Sequence, residues 1–367
     1  MSSLKVEVVK IDEILKHENA ERLDLARIND WICVVGKGVH KAGDEVIYIP
    51  IDSVLPDELI QRLDLKIGQN YIPNRIRAAK IRGVVSYGLI IPNIVRKPVG
   101  TDVATALGIT KYEPEAPPEP QTKSKPSNLL QYIKYRFKRC FSAKRSNELF
   151  TKYTDIENFK HYPKIFDNEI VIITEKLHGT NARFGYLKKT NTIPVLKYFT
   201  KPYEFVYGSH NCQKHPLNIR KGFYGTDVWG KTVKKYNLIE KLKLYPGYIF
   251  YGEIYGPNIQ DLTYGVKEPT VAFFDIKHPN GTYLDCTEFH AICLRLDLPE
   301  VPMLYSGPWK EELKELRTGM SVICPTQMRE GIVIKPQNEK TDVRLGRKIL
   351  KLVSENYLLR KGGTEFH

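Results

Sequence analysis

The proline-rich stretch EPEAPPEPQTKSKPS, at residues 113–127, is the feature that most limits how this chain of 367 residues can fold. It holds five prolines and almost no apolar side chains. It therefore offers neither the backbone donors of a sheet nor the side chains of a core. We predict an extended linker here, between two parts that are each long enough to build a core, residues 1–112 and 150–367.

The first part, residues 1–112, is rich in short β-prone runs such as KVEVVKI, WICVVGKG and DEVIYIPI, with turn residues between them. Several short strands at this spacing favour a small closed barrel.

Residues 128–147 follow the linker and carry six Lys or Arg and no acidic residue. Leu130, Ile133, Phe137 and Phe141 recur at helical spacing, which predicts a basic amphipathic helix. The helix is either an arm that contacts phosphates or a solvated connector. Together with the linker it forms a connecting segment, residues 113–149.

In residues 150–367 the runs EIVIITEK, YIFYGEIYG, TVAFFDI, GIVIKP and KILKLV predict strands, with helical segments between them. The first of these strands ends at Lys176. A buried lysine is costly unless it is paired or used. Lys176 is therefore either a surface residue where the strand emerges or a nucleophile.

The charged residues at the ends of these strands suit one chemistry, the attack of a lysine on a nucleoside triphosphate. A neutral Lys176 amine can attack the α-phosphorus and expel pyrophosphate, and nearby cations favour the neutral amine. Lys335 and Lys351 are suited to neutralise the charge that gathers on the α-phosphate. Glu330 supplies a carboxylate for Mg²⁺ or Mn²⁺.

Three further residues suit the rest of such a nucleotide. Phe274 can stack on the base, although a core phenylalanine is the default for an apolar strand. Phe273 would point to the opposite face, so only one of the two can stack. Glu253 can accept hydrogen bonds from ribose hydroxyls, and Gly179 allows the backbone to approach the nucleotide closely.

The ordered set of short motifs resembles the covalent nucleotidyltransferases, which comprise RNA ligases, DNA ligases and mRNA capping enzymes. EKLHGTNAR looks like their motif I, KxxG, and YGEIYG resembles motif III. FFDI, EGIVIKP and KILKLV are similar to motifs IIIa, IV and V, in the same order. The family's motif V often has a second lysine, and Lys348 is a candidate for that role.

Two features narrow the resemblance to RNA ligases. His178 stands where DNA ligases and capping enzymes usually have aspartate, and those enzymes carry an OB domain after motif V. Here the barrel comes first, and LGITKYEPE, YTDIENFK and EGIVIKP closely resemble the Deinococcus-type, or fifth, family of RNA ligases. The resemblance implies an α+β chain. An N-terminal OB-fold β-barrel would precede a nucleotidyltransferase domain built on antiparallel sheets with flanking helices.

The resemblance also implies roles for individual residues. Lys176 would form the lysyl-AMP intermediate, and Glu330 would act at the metal. Catalysis would further involve Glu253, Lys335 and Lys351. The residues expected around the nucleotide and its phosphates are Glu175, His178, Gly179, Asn181, Arg183, Phe274 and Lys348.

The implied activity is ATP-dependent ligation of RNA 3′-OH and 5′-phosphate ends, in particular nicks in duplexes with an RNA 3′-OH strand. It would pass through lysyl-AMP and RNA-adenylate intermediates and use Mg²⁺ or Mn²⁺. One alternative is a GTP-dependent guanylyltransferase that caps RNA. Another is a non-catalytic RNA-binding protein with a degenerate ligase domain, which the intact Lys176, Glu253, Glu330 and Lys335 argue against.

The composition fits a nucleic-acid partner. The formal net charge is +14, which favours a polyanion over a merely lysine-rich enzyme. The N-terminal sequence has no apolar run typical of export, and the six cysteines form no CxxC pair, so we expect an intracellular protein with reduced thiols. We expect a monomer that acts on RNA or an RNA-containing duplex and has no membrane partner.

Overall fold

The computed structural model describes residues 4–65, 74–112, 147–190, 201–214 and 227–360. The predicted linker and nearly all of the predicted basic helix lie outside these residues. The described residues form mostly antiparallel sheets with a few short helices.

The chain divides into two compact units. The first unit takes its residues from Met1–Glu113, Asp155–Lys176 and Pro302–Gly363. The second takes them from Pro114–Thr154, Leu177–Val301 and Thr364–His367. The chain therefore passes from the first unit to the second directly after Lys176. These units do not follow the predicted sequence domains, whose limits stay a prediction.

The N-terminal part of the first unit is built from short antiparallel strands. The sheets have the strand orders β1-β5-β9, β2-β3-β4, β6-β10 and β7-β8. The elements are β1 (Glu7–Lys10), β2 (Glu13–Lys16), β3 (Leu23–Ile28), β4 (Trp31–Gly36), β5 (Glu45–Ile49), β6 (Ser53–Val54), α1 (Asp57–Arg62), β7 (Ala79–Ile81), β8 (Val84–Ser86), β9 (Leu89–Pro92), a 3₁₀ helix (Thr105–Leu107) and β10 (Thr110–Lys111).

Strand β5 shows why this part can fold with so little helix. Val46 and Tyr48 belong to one apolar cluster, while Ile47 and Ile49 belong to another. Because side chains alternate along a strand, the strand is buried on both faces and separates two cores.

The rest of the first unit contains a five-stranded sheet of order β11-β22-β19-β12-β18. Only the β11–β22 pair among these strands is parallel. The elements are β11 (Glu157–Asn158), a 3₁₀ helix (Phe159–His161), β12 (Ile170–Lys176), β18 (Met303–Pro308), a 3₁₀ helix (Glu311–Arg317), β19 (Gly331–Pro336), β20 (Thr341–Asp342), β21 (Gly346–Arg347), β22 (Leu350–Val353) and α5 (Glu355–Leu358).

The second unit contains another five-stranded sheet, entirely antiparallel, of order β15-β14-β13-β16-β17. Apolar side chains from the helices join Phe184, Phe250 and Phe273 of the sheet in one core. The elements are β13 (Thr180–Lys188), β14 (Tyr203–Gly208), β15 (Gln213–Lys214), α2 (Val228–Lys235), α3 (Leu238–Leu242), β16 (Ile249–Tyr255), β17 (Thr270–Lys277) and α4 (Cys286–Arg295).

The predicted α+β class with antiparallel sheets and flanking helices is confirmed. Within the described ranges, no helix is both long and apolar enough to span a membrane.

Candidate active site

One face of the first unit's sheet carries three lysines. Strand β12 buries Val171 and Ile173 in an apolar cluster, so alternation directs Lys176 to the opposite face. The same alternation places Lys335 of β19 and Lys351 of β22 on the face of Lys176, because their neighbours in sequence lie in that cluster.

Lys176 forms an ion pair with a buried carboxylate. Its Nζ lies 2.5 Å from Oε1 of Glu330, the residue that precedes β19. The lysine side chain is 28% exposed and the glutamate side chain is 8% exposed. Lys176 therefore stands where the strand reaches the surface, next to Glu330, and its role as a nucleophile stays a prediction.

Lys351 lies close to other positive charges on this face. Burial, followed by the positive charges of Lys176 and Lys111, lowers the pKa of Lys351 to about 8. The cations are not fully balanced by the nearby carboxylates of Glu157 and Glu330. An anionic ligand placed here would relieve that repulsion.

Two residues predicted near the nucleotide have protein partners in the first unit. Glu175 points to the core face of β12, where it accepts a hydrogen bond from the Val322 N–H at 2.8 Å. Lys348 donates to Glu169 Oε1 at 2.8 Å. In this structure Glu175 braces the strand that carries Lys176, and Lys348 belongs to an ion pair. Their predicted contacts with the nucleotide stay predictions.

A second polar face is formed by the sheet of the second unit. Asn181 of β13 lies opposite Glu253 of β16, and Arg183 lies opposite Tyr251. Directly opposite residues of an antiparallel pair share a face. The intervening Ala182 and Phe184 lie in the core, so these four side chains project from the other side of the sheet.

A β-bulge at the edge of this face sets the position of Phe274. Tyr251 pairs with Asp275 and Gly252 pairs with Phe273, so Phe274 is the extra residue. Bulges redirect side chains and are frequent beside active sites. Phe273 is fully buried in the core, whereas Phe274 is partly exposed. Of the two predicted candidates for stacking, only Phe274 is accessible.

Arg183 is held by the protein backbone. Its Nε donates to the Ser209 carbonyl at 2.9 Å, and its Nη1 donates to the Phe150 carbonyl at 2.5 Å. The guanidinium also stacks on the Phe150 ring, 4.3 Å from its centroid. The two contacts with Phe150 hold the segment before Asp155 against the polar face of this sheet. The predicted contact of Arg183 with phosphates stays a prediction.

His178 and Gly179 lie in the short turn between β12 and β13. His178 is buried, and its Nε2 lies 2.8 Å from Asp261 Oδ1. A Cβ added to Gly179 would lie 2.2 Å from the Ile254 carbonyl oxygen. The glycine is therefore required by the close approach of β16, a reason that its sequence position alone does not supply.

Sequence reasoning missed two groups that contact the predicted residues. The loop between β16 and β17 supplies Gln260, Asp261 and Tyr264 to the turn at His178. Tyr153 donates to Asp275 Oδ2 at 2.7 Å and lies edge-on to Phe274, with 4.9 Å between the ring centroids. Neither segment has a periodic pattern. The only signal was the run of turn-forming residues in YGPNIQDLTYG.

The donor set fits a divalent cation that is shared with a ligand. Among the described residues, no group of three or more His, Cys, Asp or Glu side chains is placed to hold a metal ion. Glu330 is a carboxylate next to Lys176. Mg²⁺ is usually bound by one or two carboxylates, with waters and substrate phosphates completing its shell. The site suits such a metal and does not suit an all-protein cage.

Comparisons with known proteins find matches for two parts of the chain. The RNA ligase family profile matches residues 169–353, just over half of the 367 residues, and an OB-fold domain profile matches residues 5–93. A search of curated proteins finds no significant match.

Solved structures of Naegleria gruberi RNA ligase are similar over nearly the whole chain. The structure with PPi is 23% identical, with a TM-score of 0.72, and the match covers 97% of this chain and 98% of that chain. A mutant with ATP and Mn is 22% identical, with a TM-score of 0.71 and the same coverage. A mutant with AMP and Mn is 23% identical, with a TM-score of 0.72, covering 96% and 97%. The expected order, an OB fold followed by the second domain, is confirmed.

Proposed function

The chain belongs to the RNA ligase family, and we propose that it seals RNA ends in an ATP-dependent reaction through a lysyl-AMP intermediate on Lys176. The observation that carries this proposal is the ion pair of Lys176 with Glu330 on a face that also holds Lys335 and Lys351. The solved Naegleria gruberi RNA ligase structures with ATP, AMP and PPi support the choice of nucleotide.

In the first step, the deprotonated Nζ of Lys176 attacks the α-phosphorus of ATP. A P–N bond forms, the bond from the α-phosphorus to the bridging oxygen breaks, and pyrophosphate leaves with that electron pair. Lys335 and Lys351 neutralise the charge that develops on the α-phosphate oxygens. The unbalanced positive charge around Lys351 supports this role, because a triphosphate would offset it.

Glu330 would hold Mg²⁺ or Mn²⁺. When bound, the metal neutralises phosphate charge and orients the triphosphate. In the free protein the Lys176 ammonium neutralises the same carboxylate at 2.5 Å. The residue that would bind the metal thus also fixes the nucleophile before substrate arrives.

We propose nucleotide contacts for the polar face of the second unit. Glu253 accepts hydrogen bonds from the ribose, Phe274 stacks on adenine, and Asn181 contacts the nucleotide beside Glu253. The partial exposure of Phe274 at a bulge supports stacking there. His178 acts at the phosphates.

Two further steps complete the proposed reaction. A 5′-phosphate oxygen of RNA attacks the AMP phosphorus, which releases the Lys176 amine and gives an RNA-adenylate. A 3′-hydroxyl then attacks the 5′-phosphate, and AMP leaves. We propose that the chain is a Deinococcus-type ligase acting on nicked duplexes, with the OB fold holding the 3′-hydroxyl side. The OB-fold match at residues 5–93 lies ahead of the ligase match. This order of domains, which the Deinococcus-type family shares, supports the proposal.

Sealing of nicked duplexes tests this function directly. The wild type is incubated with ATP, Mg²⁺ or Mn²⁺, and nicks whose 3′-hydroxyl and 5′-phosphate strands are RNA or DNA in all four combinations. We expect joining with ATP wherever the 3′-hydroxyl strand is RNA, and none with Lys176→Ala. Covalent labelling from GTP without joining would point to a capping guanylyltransferase instead. RNA binding without any covalent nucleotide would point to a non-catalytic protein.

A further inference from the structure

We propose that residues 256–265, the first part of the loop between β16 and β17, form a positioning clamp for the turn after Lys176, with Asp261 as the residue that orients His178. This inference deepens the proposed function and rests on it for the catalytic consequence. We use the name positioning clamp for residues 256–265 below.

The clamp makes three hydrogen bonds to two consecutive residues of the turn. Gln260 Nε2 donates to the Gly179 carbonyl at 3.1 Å. The His178 N–H donates to the Tyr264 hydroxyl at 2.7 Å. The His178 ring and the Asp261 carboxylate form the third bond, at 2.8 Å. Backbone and side chain are thus both held, which a single incidental contact would not achieve.

The backbone conformation of the clamp is one that its surroundings have to enforce. Tyr264 adopts a φ of 53° and Asn258 a φ of 62°, between Gly256 and Gly265, which also have positive φ. A bulky residue at positive φ is rare and persists only where its surroundings enforce it. Tyr264 is buried and packs edge-on against Tyr255, with 5.1 Å between the ring centroids.

The Asp261 contact also determines the chemistry of the imidazole. An ionised carboxylate can only accept, so Nε2 of His178 must carry the hydrogen of this bond. In a neutral ring Nδ1 is then the acceptor. Asp261 therefore contributes to both the tautomer and the orientation of the ring. Carboxylates play this role behind metal-bound histidines, where their loss costs about 10- to 100-fold.

The position of the clamp in the chain explains how it would serve the reaction. It begins directly after β16, which carries Glu253, and leads to β17, which carries Phe274. It therefore joins the two strands proposed to bind ribose and base, and it fixes the turn that directly follows the nucleophile. A displacement of about 1 Å at such a point can cost on the order of 100-fold in rate.

The test compares single-turnover formation of the protein–AMP adduct in four variants. Asp261→Ala is expected to slow adduct formation about 10- to 100-fold, and Asp261→Asn less, because the amide oxygen still accepts. Gln260→Glu, which cannot donate to the Gly179 carbonyl, and Tyr264→Phe are expected to slow it as well. Asp297→Asn and Tyr245→Phe, both outside the clamp, are the matched controls. Asp297 is an exposed aspartate at positive φ.

A second readout separates positioning from a purely structural role. Nitrogen NMR of ¹⁵N-histidine-labelled protein, with the His178 signals assigned from His178→Gln, should show the Nε2–H tautomer in the wild type. Asp261→Ala should show a mixture, while thermal unfolding shows both proteins folded.

Adduct formation by Asp261→Ala within twofold of the wild type would overturn the clamp, as would an unchanged tautomer. If the wild type took no label from ATP, the proposed function would fail on its own. The NMR result would still decide whether Asp261 orients His178.

Discussion

At the scale of single residues, the site depends on a few close contacts. Gly179 lies so close to β16 that a side chain cannot fit, and Lys176 is held by Glu330 alone among the contacts described. The identities of both residues were predictable from the KxxG pattern. The reason for the glycine was not, because Ile254 is 75 residues further along the chain.

Substitution of Gly179 by alanine should destabilise the protein by ~1–3 kcal/mol, because the added Cβ overlaps a backbone oxygen that cannot move freely. Adduct formation at Lys176 should slow at the same time. Urea unfolding and single-turnover labelling measure the two effects. Gly36→Ala is the matched control, because its Cβ would approach the exposed Val39 side chain, with Cγ2 at 2.9 Å, rather than backbone. Equal behaviour of the two variants would refute this account of Gly179.

The stability of the protein should rise with pH above about 8 because of Lys160. This lysine is 7% exposed, its Nζ lies 3.5 Å from the Tyr87 ring centroid, and its pKa is lowered to about 8, mainly by burial. Between that value and the unfolded pKa of 10.5 the unfolded chain binds more protons, so raising the pH favours the folded state. The full effect is roughly 3 kcal/mol.

Urea unfolding at pH 7.5, 8.0 and 8.5 measures this slope, largely below the range where the buried Cys33 and the buried tyrosines ionise in the unfolded chain. Lys160→Met should reduce the slope by about half, because Lys351 has a similarly lowered pKa and keeps its share. Lys164→Met, at an exposed position close by, should leave it unchanged. A slope that is the same in all three proteins would contradict the assignment.

At the scale of elements, the alternation of side chains along each strand places site residues on one face of both sheets and core residues on the other. It was not readable from the sequence for β12 and β19, because their apolar residues form continuous runs, IVII and IVI, and only the charged strand ends were evident. The bulge at Phe274 was not readable, because it depends on how β17 pairs with β16. The clamp was missed for the same reason, since its contacts join a loop to a turn about 80 residues away.

The two phenylalanines of β17 offer a matched test of this division. Phe274→Ala should raise the KM for ATP about tenfold or more, because stacking on a base is worth ~1–3 kcal/mol, with a small loss of stability. Phe273→Ala should instead destabilise the fold by ~3–5 kcal/mol, because it empties part of the core. Steady-state labelling measures the KM for ATP, and urea unfolding measures the loss of stability. An unchanged KM in Phe274→Ala would exclude stacking at this position.

At the scale of the whole molecule, the first compact unit combines segments from both sides of the proline-rich stretch, and the predicted domain limits stay a prediction. Residues of the OB fold lie in the first unit together with part of the ligase sheet. Tyr87 donates to Glu355 at 2.6 Å, and Lys314 pairs with Asp30 at 2.8 Å. These contacts span more than 260 positions and leave no periodic trace in the sequence. The fold class and the order of the domains were nonetheless predictable, because they follow from local strand patterns and motif order.

The central claim is that Lys176 becomes covalently adenylylated, and peptide mapping by mass spectrometry tests it most directly. The wild type is incubated with ATP and Mg²⁺ or Mn²⁺, denatured at alkaline pH to preserve the P–N bond, digested and sequenced by fragmentation. The account predicts one AMP on the peptide that contains Lys176 and none in Lys176→Ala. AMP on Lys335 or Lys351, or an unmodified wild type, would contradict it.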